Sequence, residues 1–176
     1  MLTIILTLII LAIGSILFVA SQKPDDFLYE RTATINAAPS AIFPLINNLG
    51  QWDRWSPWAE MDPNAKTNFN GPDAGVGASM AWDGNAKVGK GKMTITQSVP
   101  DQKVVMHLVF IKPLSGEQDA SFTLEPQGAG QTKITWSNYG RTNFMGKLMG
   151  TIMNCDKMMK KTMDQGFTNI EAAAER

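Results

Sequence analysis

The sequence predicts an α+β domain, an antiparallel sheet packed on a long C-terminal helix, with one transmembrane helix ahead of it. Residues 2–20 carry no charge and no proline, short β-prone runs between turn residues fill 65–140, and apolar side chains recur at helical spacing over 144–174.

The first element is the apolar run. Nineteen helical residues, 2–20, span roughly 28 Å at ~1.5 Å rise, close to a ~30 Å hydrocarbon core. Residues 1–21 therefore read as a single-pass transmembrane anchor, 22–27 as a polar linker and 28–176 as one soluble domain. The competing reading is a cleaved signal peptide, for which Val19 and Ser21 offer small residues at a cleavage site. Against it, no Lys or Arg precedes the run, which exceeds the ~7–15 residues of a signal h-region. Lys23 and Arg31, the nearest cations, lean towards a cytoplasmic domain.

After the linker, residues 28–35 alternate as a first strand, and 38–49 read as a helix with Pro39 in its first turn and Pro44 shortening it. Trp52, Trp55 and Trp58 follow in a short helical or looped piece. Turn signals then bound the runs 76–82, 90–99, 103–112, 118–125 and 132–138, a meander of antiparallel strands. Ala120, Phe122 and Leu124 share one face, as do Ile134 and Trp136, while Ser121, Thr123, Thr135 and Ser137 take the other. In the last element, 100° steps gather Met145, Met149, Ile152, Met159, Met163, Phe167 and Ile170 into one stripe opposite Lys147, Asn154, Lys157 and Lys161.

Composition narrows the function classes. Sixteen basic and sixteen acidic residues give no net charge, and with no basic block there is no footprint for nucleic acid or a polybasic lipid patch. Cys155 is the single cysteine, which excludes an internal disulfide and a Cys-rich zinc site; it reads as a small buried hydrophobe. A Met cluster is a soft ligand set for Cu(I), yet such tracts ordinarily come with His or Cys ligands, and neither a metal nor a cofactor is expected.

Five stretches, LGQWDRWSPW (49–58), GPDAGVGASMAW (71–82), VGKGKMT (88–94), KITWSNY (133–139) and NCDKMM (154–159), resemble the START-like (SRPBCC) superfamily, within it the bacterial polyketide cyclase/dehydrase-like branch. The order of elements also resembles the helix-grip fold. The resemblance covers 28–174 and implies a curved sheet gripping the long helix, with an apolar cavity between them for a lipid, sterol or polycyclic ligand. It carries no catalytic motif over to this chain.

The expected function is accordingly a membrane-anchored domain binding a small hydrophobic molecule. Candidate ligand contacts are Trp55, Trp58, Trp82, Met106, Phe110, Phe122, Trp136, Met149, Ile152, Asp156 and Met159. Six of the eleven methionines lie in the C-terminal helix, where a flexible thioether suits an irregular apolar ligand as well as a core. Asp156 falls within about 20° of the centre of the stripe, where an unpaired carboxylate is costly; pairing with Lys160 or a shifted helix register would remove the anomaly. A cyclase- or hydrolase-type enzyme using Asp156 or His107 is the alternative, although His107 lies on the strand face opposite Met106, Leu108 and Phe110. A second alternative is an interaction module that uses the tryptophan-rich segment. The segment 84–91 matches the start of a P-loop, but Gly91 replaces the Mg²⁺-binding hydroxyl and no helix follows, so it reads as a hairpin turn.

Overall fold

The computed structural model describes residues 1–175. Helix α1 (Leu2–Gln22) leads into strand β1 (Asp26–Ile35), then α2 (Pro39–Asn47), a 3-10 turn (Leu49–Arg54) and α3 (Pro57–Met61). Strands β2 (Lys66–Asn70), β3 (Ser79–Asp83), β4 (Lys90–Val99), β5 (Lys103–Lys112), β6 (Gly116–Gly128) and β7 (Gln131–Arg141) follow, and α4 (Phe144–Met153) and α5 (Cys155–Ala174) close the chain. The described strands form one antiparallel sheet in the order β1-β7-β6-β5-β4-β3-β2. The meander thus pairs each strand with its sequence neighbour, and β1 returns to the β7 edge.

One face of the sheet is apolar because residues two apart share it. Ile35, Val104, Met106, Phe122, Leu124, Ile134 and Trp136 are buried there against α2, the 3-10 turn and α5. At the centre Trp55 packs on Trp52, Trp136 and Phe122 with ring centroids 4.7, 5.8 and 5.9 Å apart. The indoles stay satisfied in this apolar setting, since Trp55 Nε1 donates to the Leu45 carbonyl (2.8 Å) and Trp52 Nε1 to that of Ile46 (3.0 Å). Two of the three clustered tryptophans, Trp52 and Trp55, are thus packed into the core. Helix α5 is tied down along its length: Arg31 on β1 makes a two-pronged contact with Asp164 (2.9 and 3.0 Å), and Arg54 donates to the Ala173 carbonyl (3.1 Å).

Three features depart from the sequence reading. Strand β2 lies outside the runs that the sequence marks as strands; all five of its residues are exposed, so no alternating pattern marks it. Helix α1 runs to Gln22 and β1 begins at Asp26, leaving a shorter connection than 22–27. The C-terminal helix is two helices: Asn154 turns left-handed (φ 49°, ψ 56°), ending α4, and its side chain accepts the Lys157 N–H (3.4 Å) to cap α5. Asparagine is one of the few residues with a Cβ that adopt that backbone at a helix end. The break resets the helical phase, so the stripe projected through 144–170 does not exist as one face.

Helix α4 packs beside α1. Ala20, near the domain end of α1, is the only buried residue of that helix. Lys147 of α4 pairs with Asp25, and the Thr142 N–H donates to the Asp25 carbonyl (2.7 Å). Lys147 lowers the Asp25 pKa from the ordinary carboxylate value.

Candidate functional site

Strand alternation aims a row of side chains at the space under α3 and the start of α5. Met80 and Trp82 come from β3, Met93 from β4, Leu108 and Phe110 from β5, Gln118 and Ala120 from β6, and Trp136 and Asn138 from β7. Facing them are Trp52, Ser56, Trp58 and Ala59, together with Met159 of α5. They enclose a cavity of about 350 Å³, within the ~300–1,000 Å³ range of small-molecule sites. Its rim is exposed at Gly50, Asp53, Thr67 and Phe69, between the 3-10 turn and β2.

The space exists because α5 fills only part of the sheet. Its buried residues begin at Met163 and continue through Gly166, Phe167, Ile170 and Ala173. Gly166 is required there, since a Cβ would stand 2.7 Å from the Trp136 ring. On the N-terminal side of Met163, Met159 is the α5 residue that lines the cavity. Gly91 shapes the opposite wall. It sits across from Trp82 in the β3–β4 pairing, and the indole lies over its Cα, where a Cβ would stand 2.5 Å from the ring. Trp82 then meets Phe110 edge-on at 5.8 Å.

The lining carries no Lys, Arg or His, and Asp53 at the rim is its one ionisable member. The polar groups inside are Ser56, Gln118 and Asn138.

Of the residues singled out from the sequence, Trp58, Trp82, Phe110, Trp136 and Met159 come together around this cavity. Trp55, Met106 and Phe122 face inward as expected but lie fully buried in the core and not along the lining. Met149, Ile152 and Asp156 are elsewhere. Met149 and Ile152 belong to α4, and Ile152 is 62% exposed. Asp156 is an exposed first-turn residue of α5 paired with Lys160 at 3.1 Å, and it adds to the burial that raises the Tyr29 pKa. The phase reset at Asn154 explains all three. Sequence reasoning missed Asn138, although it shares parity with Trp136, and Met80, Met93, Leu108 and Gln118 obey the same alternation. Between residues 49 and 59 the sequence points to Trp58 alone among the lining residues; Leu49, Gly50, Trp52, Asp53, Ser56 and Ala59, like those of β2, carry no periodic signal.

His107 points away from the cavity. Its Nδ1 lies 2.8 Å from Asp119 Oδ1, and its Nε2 is 3.7 Å from Glu117 Oε2. Neither acid–base candidate, His107 or Asp156, touches the space a bound molecule would fill. The segment 84–91 comprises the β3–β4 turn, closed by the Gly84 N–H on the Gly89 carbonyl (2.8 Å), and the first two residues of β4.

A curved antiparallel sheet closed over an apolar cavity by a C-terminal helix places the protein in the class of helix-grip domains. More narrowly, residues 27–175 match the family of polyketide cyclase/dehydrase and lipid transport proteins, and the chain belongs to that family. Solved structures share the fold at low identity. A Chromobacterium violaceum protein is 17% identical with a TM-score of 0.57, over 85% of this chain and 99% of its own. The Aha1 dimer from Colwellia psychrerythraea is 18% identical (TM-score 0.55), over 84% of this chain and 98% of that one. The di-domain ARO/CYC BexL is 13% identical with a TM-score of 0.64, over 90% of this chain and 53% of that longer one. No curated protein matches the sequence.

Proposed function

We propose that this protein holds a small hydrophobic molecule in the cavity between sheet, α3 and α5, as a domain anchored to a membrane by α1. The observation that carries the reading is the cavity itself: about 350 Å³, walled by aromatic rings and thioethers, in a chain whose family description couples cyclase/dehydrase with lipid transport. At about 25 cal/mol per Å² of apolar surface removed from water, burying a ligand there supplies the driving force without any covalent step.

Membrane anchoring draws on two features. Helix α1 is 21 residues long, apolar and exposed except at Ala20, long and apolar enough to cross a bilayer. Helix α4, packed beside it, turns Phe144, Met145, Ile152 and Met153 outward while its one charge, Lys147, is taken up by Asp25. An uncharged exposed face next to a membrane-spanning helix suits the interfacial layer.

The test of binding is titration of the full-length protein in nanodiscs with Nile red, an uncharged apolar dye, against empty nanodiscs as baseline. We expect saturation at about one dye per chain with quenching of tryptophan emission. A titration indistinguishable from empty nanodiscs would overturn the proposal.

A further inference from the structure

Asn138 is the one amide buried in the cavity wall. It is 3% exposed, yet it lies among Trp136, Ala120 and Met159. Its orientation follows from its neighbour: an indole N–H only donates, so the oxygen that Trp136 Nε1 reaches at 3.3 Å is Oδ1. Nδ2 is therefore turned to Met159, whose Sδ is 3.6 Å away. A thioether is a weak acceptor, and an amide N–H pair served by it alone is short of partners in an apolar setting. Gln118 brings a second amide to the same wall. Asn138 pairs with Ala120, so Gln118 stands diagonally across from it on the same face, ~7–8 Å away and within reach of one ligand group. No cation lines the cavity, and Asp53 stands at its rim.

We infer that the cavity selects an uncharged amphiphile whose carbonyl or hydroxyl oxygen accepts a hydrogen bond from Asn138 Nδ2 beside Gln118, and discriminates against carboxylates and phosphates of the same chain length. This rests on the proposed ligand binding and names the chemical class. A neutral oxygen gives the second Asn138 Nδ2 hydrogen, which Met159 does not engage, a strong acceptor. An anion would give up its hydration without meeting a positive charge, and would pass Asp53 on entry.

The experiment displaces Nile red from the full-length protein in nanodiscs with dodecane, 2-dodecanone, 1-dodecanol and dodecanoate at pH 8, comparing wild type with Asn138→Leu. For each ligand the ratio between the two proteins cancels partitioning into the bilayer. Asn138→Leu should weaken 2-dodecanone and 1-dodecanol by up to about tenfold, the worth of one hydrogen bond, and leave dodecane unchanged or tighter. In the wild type, dodecanoate, corrected for its own partitioning into empty nanodiscs, should displace less well than 1-dodecanol. Equal losses for ketone and alkane, or tightest displacement by dodecanoate, would overturn the inference while the cavity reading stands. Failure of Nile red itself to saturate the wild type would remove both. If Asn138→Leu does not fold, Gln118→Leu gives the same readout, with an expected loss of about threefold for the ketone and none for dodecane; equal effects there count against the inference.

Discussion

Gly91→Ala tests how the cavity wall is built. The added methyl would stand 2.5 Å from Trp82 Cζ2, 2.7 Å from Cη2 and 2.6 Å from the Val109 carbonyl oxygen. The indole can swing, but the carbonyl belongs to the neighbouring strand and gives only if the β4–β5 pairing shifts. Overpacking of this kind costs about 1–3 kcal/mol, and displacing Trp82 from its edge contact with Phe110 adds about 0.5–1.5 kcal/mol. A loss of about 2–3 kcal/mol follows, which for a domain of this size lowers Tm by roughly 5–10 °C. Trp82 moves into the cavity, so Nile red affinity falls as well. Urea unfolding in detergent followed by tryptophan fluorescence reads the stability, and the double variant Trp82→Leu/Gly91→Ala apportions it. With the ring gone, about half of the cost of Gly91→Ala should disappear, the Val109 clash remaining. A cost below about 0.5 kcal/mol, or one unchanged by Trp82→Leu, would show that the indole does not lie over Gly91.

Other perturbations address the remaining contacts. Ala120→Trp places a large ring on the cavity floor and should reduce Nile red binding at least tenfold while lowering stability by no more than the ~1–3 kcal/mol of an overpacked wall; full binding would put the dye elsewhere. Met163→Ala should cost about 2–5 kcal/mol in the same urea assay and Ile152→Ala less than about 0.5 kcal/mol, because Met163 is fully buried and Ile152 exposed. Equal costs would restore the single unbroken helix. The Asp25 pKa is lowered by Lys147, so the pair stabilises the α1–α4 junction above the ordinary carboxylate pKa and is lost as pH falls through the lowered value, below about pH 4. Hydrogen exchange in α4 should accelerate over that window in the wild type, and at pH 7 already in Asp25→Asn, whose exchange protection should then show no acid step there.

Much of the sheet was legible because burial on one face imposes period two. The parity that placed Trp82, Phe110 and Trp136 inward also places Asn138 there, but a polar residue in an apolar series reads as noise until its neighbours are known. Trp55 and Trp58 are three residues apart, and nothing in their spacing tells that Trp55 enters the core through a hydrogen bond to the Leu45 carbonyl while Trp58 stays at the cavity. Strand β2 is an exposed edge, and its five residues bury no face that could pattern them. The error over α4 and α5 has one source. Apolar residues on both sides of Asn154 happen to continue a 3.6 period, and a left-handed backbone at one asparagine leaves no mark in that period, so periodicity alone places Met149, Ile152 and Asp156 on a face that the chain does not form.

The most direct test of the cavity as a hydrophobic ligand site is native mass spectrometry of the full-length protein purified in mild detergent. We expect a fraction of the chains to carry one additional small-molecule mass, released on activation as an uncharged amphiphile and absent from Ala120→Trp prepared in the same way. Bare protein masses alone, or an adduct equally abundant in Ala120→Trp, would contradict it.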